Sequence, residues 1–311
     1  MVSDTPGIHH VTGVAGDAQR NLDFYAGVLG LRLVKRTVNF EDMLQYHLYY
    51  GNRTGEVGTV LTTFPSPEAD PGRVGAPQPR DVAFVVPPDS LDHWHDHLAE
   101  HDTGVERADR FDERVLRFED PDGARLELVG GDQPVEPWTG GPVDADHAIR
   151  GIHGVTLCPV NPYATAGTLE TLGFDLVAET EDRVRYRAHG DRANTVDVLT
   201  ESAEYGREGT GTHHHVAVRV PDEEELYEWH DFFRERDYHV SRVKDRHFFH
   251  SLYVRGPGGV LFELATEPAS GRGLAGAEDV EELGESLYLP PRFEEDRDLV
   301  ESQLPDLDLP Y

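Results

Sequence analysis

The fold is decided by four similar stretches: IHHVTGV from Ile8, DVAFVV from Asp81, IHGVTLCPV from Ile152 and HHHVAVRV from His213. Each is rich in β-branched residues and shows the alternation that is typical of a β-strand. Repetition at this spacing predicts that one structural unit occurs four times in the 311-residue chain.

An amphipathic helix is predicted after each of these strands, most clearly in the first, second and fourth repeats. The apolar stripes of these three helices are Leu22, Tyr25 and Leu29; Leu91, Trp94 and Leu98; and Leu226, Trp229 and Phe233. The residues suited to N-capping them are Asp17, Asp89 or Ser90, and Asp222. The third helix has a weaker pattern and is expected over about residues 163–172.

The second and fourth repeats end in similar phrases, EDPDGARLELV and VRGPGGVLFEL. Each phrase is a turn followed by a strand that carries a glutamate, Glu127 or Glu263. The interval from Asp81 to Glu127 is 46 residues and that from His215 to Glu263 is 48. Two matched intervals indicate a common βαβββ module.

The predicted fold class is α+β, with four βαβββ modules forming two curved, barrel-like mixed sheets. One module cannot close its sheet alone, so two modules together are expected to enclose a cup. We expect modules 1 and 2 in residues 1–145 and modules 3 and 4 in residues 146–265. An acidic, proline-containing C-terminal arm follows in residues 266–311, and LPPRFEEDRDLVESQLP predicts a short helix within it.

The composition excludes several classes of function. The formal net charge is −31 and lysine occurs only at Lys35 and Lys244, so binding to nucleic acid or to an anionic membrane surface is disfavoured. The acidic residues are spread along the chain, as in proteins of salt-loving organisms, where salt screens their repulsion. The only cysteine, Cys158, excludes disulfides and thiolate clusters and is expected in the core. Without a signal sequence or a long apolar run, a cytoplasmic protein is expected.

Aligning the modules at their first strands places His10, Asp81, Gly154 and His215 at one position. The aligned position of the closing strands holds Thr63, Glu127, Asp197 and Glu263. Modules 1 and 4 therefore offer His10, His215 and Glu263. Two histidines and one carboxylate with open positions opposite are typical of non-haem Fe(II) oxygen chemistry. At these positions modules 2 and 3 offer no imidazole, which predicts a degenerate second cup that supports the fold, with a hard-cation site as the remaining alternative.

Other histidines are predicted not to bind this metal. His93 and His97 have a spacing that can bind zinc, but acidic residues surround them and a solvated helix face is favoured. His213 is expected outside the ligand set. His9 and His214 are expected to point away from the ligand direction, because adjacent strand residues face opposite sides of a sheet.

The repeat and its ligands make the chain similar to the vicinal oxygen chelate superfamily, which includes glyoxalase I, antibiotic-resistance proteins and extradiol dioxygenases. The match is strongest to ring-cleaving dioxygenases that act on hydroquinones. It covers nearly the whole chain: GIHHVT at Gly7, FYAGVLGLRLVKRTVNFED at Phe24, YHLYYG at Tyr46, GTVLTTFP at Gly58, the HHHVAV strand, LYVRGPGGVLFE ending at Glu263, and the terminal LPPRFEEDR.

This resemblance implies an Fe(II) site, with Mn(II) as the alternative, at the same three residues, and O₂ as co-substrate with a small hydroquinone- or catechol-like aromatic. Family pocket residues map onto Thr12, His214, Arg246 and Tyr253, although structural roles stay open for all four. Tyr253 or His214 could handle protons and Arg246 could stabilise negative charge. The segment KDRHFFHSLYV around Arg246 departs from the family pattern, which puts the substrate pocket in doubt. A homodimer is the family-style expectation.

Two other functions stay open. A glyoxalase-like isomerase or thiol transferase would generally need a fourth side-chain ligand, where this chain has Thr63. A metal-free module that binds drugs or aromatic compounds would have lost the ligand triad, which is complete here.

Overall fold

The four repeats fold as predicted in the computed structural model, which describes residues 2–268, 274, 276 and 278–311. Each consists of a strand, a helix and further strands, and in module 4 the second strand is split into two short pieces. In module 1 these are β1 (Ile8–Ala15), α1 (Ala18–Leu22, continued by a π-helix over Asp23–Val28), β2 (Arg32–Asn39), β3 (Asp42–Gly51) and β4 (Val60–Pro65). In module 2 they are β5 (Gln78–Val86), α2 (Leu91–Glu100), β6 (Glu106–Arg110), β7 (Glu113–Glu119) and β8 (Arg125–Gly130). In module 3 they are β9 (Ile152–Cys158), α3 (Pro162–Thr171), β10 (Asp175–Glu179), β11 (Arg183–Arg187) and β12 (Thr195–Leu199). In module 4 they are β13 (Thr212–Val220), α4 (Glu223–Arg234), β14 (His239–Val240), β15 (Lys244–Asp245), β16 (His250–Arg255) and β17 (Leu261–Thr266).

Modules 1 and 4 form one mixed sheet, and modules 2 and 3 form the other. The first has nine strands in the order β14-β16-β17-β13-β1-β4-β3-β2, with β15 also paired to β16. The second has eight strands in the order β10-β11-β12-β9-β5-β8-β7-β6. The α+β class and the two-sheet architecture are therefore confirmed. Each half of the sequence contributes to both sheets, and the division at residues 145 and 265 stays a prediction.

The helices cover the outer faces of the sheets through the predicted apolar stripes, all of which are buried. Asp17 and Asp222 cap α1 and α4 by accepting hydrogen bonds from the backbone N–H groups of Arg20 (2.8 Å) and Glu225 (3.0 Å). The predicted side-chain cap on α2 is wrong. The Ser90 hydroxyl donates instead to the Pro87 carbonyl (2.7 Å), and the chain enters α2 through a 3₁₀ turn.

The C-terminal arm packs on the module 1 side of the first sheet. Its described residues include 3₁₀ turns at Val280–Glu282 and Pro291–Asp296 and the helix α5 (Arg297–Gln303), which confirms the predicted terminal helix. The Tyr46 hydroxyl donates to the Pro305 carbonyl at 2.8 Å. Buried Lys35 forms an ion pair with Glu278 of the arm, and its ammonium lies 4.0 Å from the Phe248 ring centroid. Across the described ranges, no helix has the length and apolarity needed to cross a membrane.

Candidate metal centre

His10, His215 and Glu263 come together at the centre of the first sheet, where β17, β13 and β1 lie side by side. Glu263 Oε2 is 2.8 Å from His215 Nε2 and 3.2 Å from His10 Nε2. The three side chains are 1–3% exposed and their ligand atoms all lie within 4.8 Å of one another. The two modules thus place their ligands where the repeat register predicts them.

The donor set fits a metal ion. His215 Nε2 and both carboxylate oxygens of Glu263 are buried and make no hydrogen bond of good geometry. Buried polar atoms are rarely left in this state, and a cation would satisfy all three. Within the described part of the chain, no other group of three His, Cys, Asp or Glu side chains brings its ligand atoms this close.

The protonation of these groups also suits metal binding. Burial alone raises the pKa of Glu263, but the neighbouring imidazoles of His10 and His215 outweigh it and hold that pKa well below the ordinary value. Burial lowers the pKa of His215 to about 4, against the opposing effect of Glu263. At neutral pH the site therefore offers a carboxylate and a neutral imidazole, which are the forms that bind metals.

Two β-bulges place an extra histidine beside each histidine ligand. The pairing of β1 with β13 skips one residue on β1 between Ile8 and His10, and one on β13 between His215 and His213. The skipped residues are His9 and His214. Their Nδ1 atoms lie 2.9 Å and 2.7 Å from the Nδ1 atoms of His10 and His215.

His9 and His214 lie outside the ligand set as predicted, but the expectation that they face the opposite side of the sheet is wrong. Strict alternation fails at a bulge, and bulges are common beside active sites. His9 is buried and its Nε2 lies 3.2 Å from the Thr266 carbonyl oxygen, so it can orient the ring of His10. His214 is partly exposed and faces the solvent side of the site. His213 lies outside the ligand set as predicted, with its Nε2 3.0 Å from the Arg125 carbonyl oxygen.

Arg246 and Tyr253 flank the triad on the module 4 side. The Arg246 guanidinium donates to the Tyr253 hydroxyl at 2.9 Å, and the Tyr253 ring centroid is 5.3 Å from that of His215. Burial and the nearby Glu263 carboxylate raise the pKa of Tyr253 well above 10, so the phenol keeps its proton. Arg246 also lies 3.4 Å from Glu41, which is held at 2.7 Å by Lys244.

Thr12 lies beside the triad on β1, and the register of β4 corrects one sequence prediction. Glu263 pairs with Ala217, two residues after His215, whereas the residue paired with Thr12, two after His10, is Thr62. Thr62, and not Thr63, therefore occupies the position that corresponds to Glu263. A threonine hydroxyl is not an anionic ligand, so the conclusion that the chain lacks a fourth side-chain ligand at this position is unchanged.

A narrow inner chamber leads from the triad to a wider outer vestibule. The inner chamber has a volume of about 20 Å³, and its aromatic lining is Phe40, His47, Tyr49, Phe64, Phe249 and Tyr253. The vestibule has a volume of about 380 Å³. It shares Arg246 and Tyr253 with the inner chamber and adds the charged or polar side chains of His214, Lys244, Glu41 and Glu208. A single aromatic ring fits a space of the vestibule's size.

The equivalent region of the second sheet is filled with ion pairs. Arg110 forms a close ion pair with Glu127 and lies 3.4 Å from Asp197. Asp197 in turn accepts hydrogen bonds from Arg185 at 2.7 Å and 3.0 Å. Arginines thus stand where the first sheet has its ligand site, which agrees with the predicted degenerate cup.

Several residues near the triad were not found by sequence reasoning. His47 and Tyr49 on β3 and Phe249 before β16 line the inner chamber. The segment HFFH around Phe249 differs from the family pattern and could have indicated a pocket residue. Nothing in the sequence around His47 and Tyr49 distinguishes them from other strand residues. His93 and His97 lie on α2 away from the triad, and Cys158 is buried in the core as expected.

The paired βαβββ modules and the buried two-histidine, one-carboxylate triad define a fold with a candidate metal site between two modules. The sequence profile of the Glyoxalase/Bleomycin resistance protein/Dioxygenase superfamily matches residues 7–128 and 169–264, and the chain belongs to this superfamily.

Three relatives resemble the chain over nearly its full length. The Bacillus subtilis protein named "Putative ring-cleaving dioxygenase MhqO" is 41% identical, over 98% of this chain and 97% of its own. The chlorohydroquinone/hydroquinone 1,2-dioxygenase of Sphingobium indicum is 33% identical, over 93% of this chain and 92% of its own. A crystal structure from B. subtilis, described as that of a dioxygenase, superposes with a TM-score of 0.95 at 40% identity and covers 99% of both chains.

Proposed function

We propose that this chain is a ring-cleaving dioxygenase that uses Fe(II) to insert O₂ into a hydroquinone- or catechol-like aromatic compound. The observation that carries the proposal is the buried triad, whose unpartnered donor atoms face a chamber lined by aromatic side chains. Similarity to relatives named for ring cleavage and for hydroquinone oxygenation supports the reaction class.

His10, His215 and Glu263 would hold the metal, and three ligands leave positions open for other molecules. When bound, Fe(II) would supply one-electron chemistry toward O₂ and a positive charge that favours a phenolate oxygen. Mn(II) binds to a similar set of nitrogen and oxygen donors, so the ligands favour Fe(II) or Mn(II) without separating them.

Arg246 is the residue best placed to stabilise negative charge on a bound substrate. Burial would lower the pKa of its guanidinium, but Tyr253 and Glu263 outweigh burial and raise it, so the cation persists. Its hydrogen bond to Tyr253 fixes the side chain at the junction of the chamber and the vestibule. A fixed cation at the point where charge develops requires little reorganisation during the reaction.

Tyr253 and His214 are placed to hold or move protons. The Tyr253 hydroxyl accepts from Arg246, so its own hydrogen can be donated to Glu263 or to a substrate oxygen. His214 reaches the vestibule while its Nδ1 contacts His215. It can exchange a proton with solvent on one side and steady the ligand ring on the other.

The glyoxalase-like and metal-free alternatives are less well supported. A threonine, Thr62, stands where a fourth anionic side chain would be needed for the first alternative. For the second, a binding module would gain nothing from a buried glutamate whose oxygens have no hydrogen-bond partner.

Oxygen uptake tests the proposal. The protein is reconstituted anaerobically with Fe(II), and hydroquinones and catechols are added in turn while O₂ consumption and product absorbance are followed. We expect one O₂ per substrate for at least one compound, with loss of activity in His215→Ala. His213→Gln, on the same strand but outside the ligand set, is the matched control. Stoichiometric metal without uptake would favour the isomerase, and absence of metal binding would favour the binding module.

A further inference from the structure

A row of four polar side chains crosses the concave face of the first sheet beside the triad. Thr12 Oγ1 lies 2.9 Å from Thr62 Oγ1, and Thr62 Oγ1 lies 2.9 Å from His47 Nε2. His47 Nδ1 lies 3.0 Å from the Tyr49 hydroxyl. The strand order β1-β4-β3 and the pairing of Thr12 with Thr62 and of Thr62 with Tyr49 place these residues in line.

Both ends of this row open on the inner chamber. Thr12, His47 and Tyr49 line it together with His10, His215 and Glu263. Thr12 is also the cross-strand partner of His215, so its end of the row is the one nearer the triad. Tyr49 forms the other end, on β3.

The number of polar hydrogens in the row limits how its hydrogen bonds can be arranged. Thr12, Thr62 and Tyr49 each carry one hydroxyl hydrogen, and a neutral His47 carries one N–H. Three contacts use three of these four hydrogens. One hydrogen therefore remains, and it lies at one of the two ends.

The tautomer of His47 decides which end holds it. With hydrogen on Nε2, His47 donates to Thr62, Thr62 donates to Thr12, and the Thr12 hydroxyl is free to donate into the chamber. With hydrogen on Nδ1, every bond reverses and the Tyr49 hydroxyl is free instead. The His47 ring packs against Phe64, with ring centroids 4.2 Å apart and ring planes tilted by 32°.

We propose that Tyr49, His47, Thr62 and Thr12 form a reversible hydrogen-bond chain that presents a single donor to an oxygen ligand in the inner chamber, with His47 as the positioning residue. An anionic ring oxygen bound near the triad selects the Thr12 end, and this part rests on the proposed function. A substrate hydroxyl that donates to Tyr49 drives the chain in the same direction. The chain thereby links the two sides of the chamber.

The neutral form of His47 that the count requires is favoured by its surroundings. Burial lowers the pKa of His47 well below its ordinary value, and burial also raises the pKa of Tyr49. Thr62 can form the central link because its hydroxyl both donates and accepts a hydrogen bond. A glutamate there, as at the equivalent Glu263, would supply no hydrogen to pass along.

Nitrogen-15 NMR of the imidazole rings tests the chain directly, because the two neutral tautomers have distinct shifts. His47→Gln identifies the His47 signals by their loss. In Tyr49→Phe, Nδ1 has no partner, so we expect hydrogen on Nε2. In Thr62→Val, Nε2 has no partner, so we expect hydrogen on Nδ1. Tyr50→Phe is the matched control, since Tyr50 follows Tyr49 on β3 but donates to Asn21. It should leave the His47 signals unchanged.

The same tautomer in Tyr49→Phe and Thr62→Val would overturn the chain, whatever the enzyme's activity. The ligand part is tested with Zn(II)-loaded protein saturated with 4-nitrocatechol, whose binding is followed by its absorbance. We expect the Nε2–H tautomer in the liganded wild type and the Nδ1–H tautomer in liganded Thr62→Val. A liganded wild type with hydrogen on Nδ1 would refute that part. Absence of oxygen uptake with opposite tautomers in the two variants would reject the proposed function and leave the chain standing.

Discussion

Glu263 and Glu127 form a natural matched pair for testing how surroundings decide the role of a buried glutamate. They occupy corresponding positions in modules 4 and 2, since Glu263 pairs with Ala217 and Glu127 pairs with Ala83. Both are 1% exposed. Glu263 faces two imidazoles and has no hydrogen-bond partner, whereas Glu127 faces the guanidinium of Arg110. We predict that Glu→Gln lowers the stability of the metal-free protein at position 127 and abolishes stabilisation by metal at position 263.

In the metal-free protein, Glu127→Gln should be the more destabilising change. It leaves the buried Arg110 without its main counter-charge, and breaking a buried ion pair costs about 3–5 kcal/mol. Asp197, 3.4 Å from Arg110, compensates in part, so we expect a loss of about 2–4 kcal/mol. Glu263→Gln removes a buried carboxylate whose oxygens accept no hydrogen bond of good geometry, and should change stability by no more than about 1 kcal/mol.

Metal should remove most of the difference in stability between the two variants. At a free concentration 100 times its Kd, a metal that binds only the folded state adds about 2.7 kcal/mol to stability. Glu127→Gln should keep this gain and Glu263→Gln should lose it. Urea unfolding at pH 7.5, with and without Mn(II), measures all four values. The reasoning is refuted if Glu263→Gln is the less stable variant without metal, or if Glu127→Gln loses the response to Mn(II).

Three further predictions concern stability. Arg110→Ala should cost about 3 kcal/mol because it removes a buried counter-charge from Glu127 and Asp197, whereas Arg117→Ala, whose side chain is 40% exposed in its pair with Glu127, should cost under about 1 kcal/mol in urea unfolding. Burial raises the pKa of Asp120 to about 6, above the value of about 3.9 in unfolded chains, so its contribution to stability falls as pH rises from about 4 to 6. Asp120→Asn should remove that fall and stabilise the protein at pH 7 by up to about 3 kcal/mol, with no gain at pH 4, as thermal unfolding at both values would measure. Because the net charge is −31, the unfolding midpoint should rise with NaCl from dilute buffer to 1 M.

Each of these predictions has a contrary outcome. Equal losses for the two arginine variants would mean that burial does not govern the strength of pairing with Glu127. A gain from Asp120→Asn that is the same at pH 4 and pH 7 would place its origin in packing rather than in ionisation. A midpoint that stays constant or falls with NaCl would mean that repulsion between acidic residues does not limit stability.

Because the chain repeats one module, much of the fold could be predicted from the sequence. The alternation of the first strands, the apolar stripes around Trp94 and Trp229, and the two closing phrases are local signals, and each survives folding because it reflects the burial of one face of one element. Since the modules share a register, that register alone selected His10, His215 and Glu263.

Errors arose where one strand must be matched to another. The repeat predicts Thr63 at the position where the structure has Thr62, because the loop lengths of module 1 hide the pairing of β4 with β1. His9 and His214 were assigned to the opposite face because a bulge cannot be read from alternation. A bulge exists only relative to the neighbouring strand, and the sequence of one strand does not contain its partner.

The sequence by itself determined the modules, the three candidate ligands and the absence of histidine from the aligned ligand positions of modules 2 and 3, because these depend on residue type at repeated positions. Only the tertiary structure decided which modules share a sheet, how Arg110 and Asp197 fill the second cup, and how Thr12, Thr62, His47 and Tyr49 align. These features join residues that are distant in sequence, and their contacts depend on strand order and register across the sheet, which no single segment specifies.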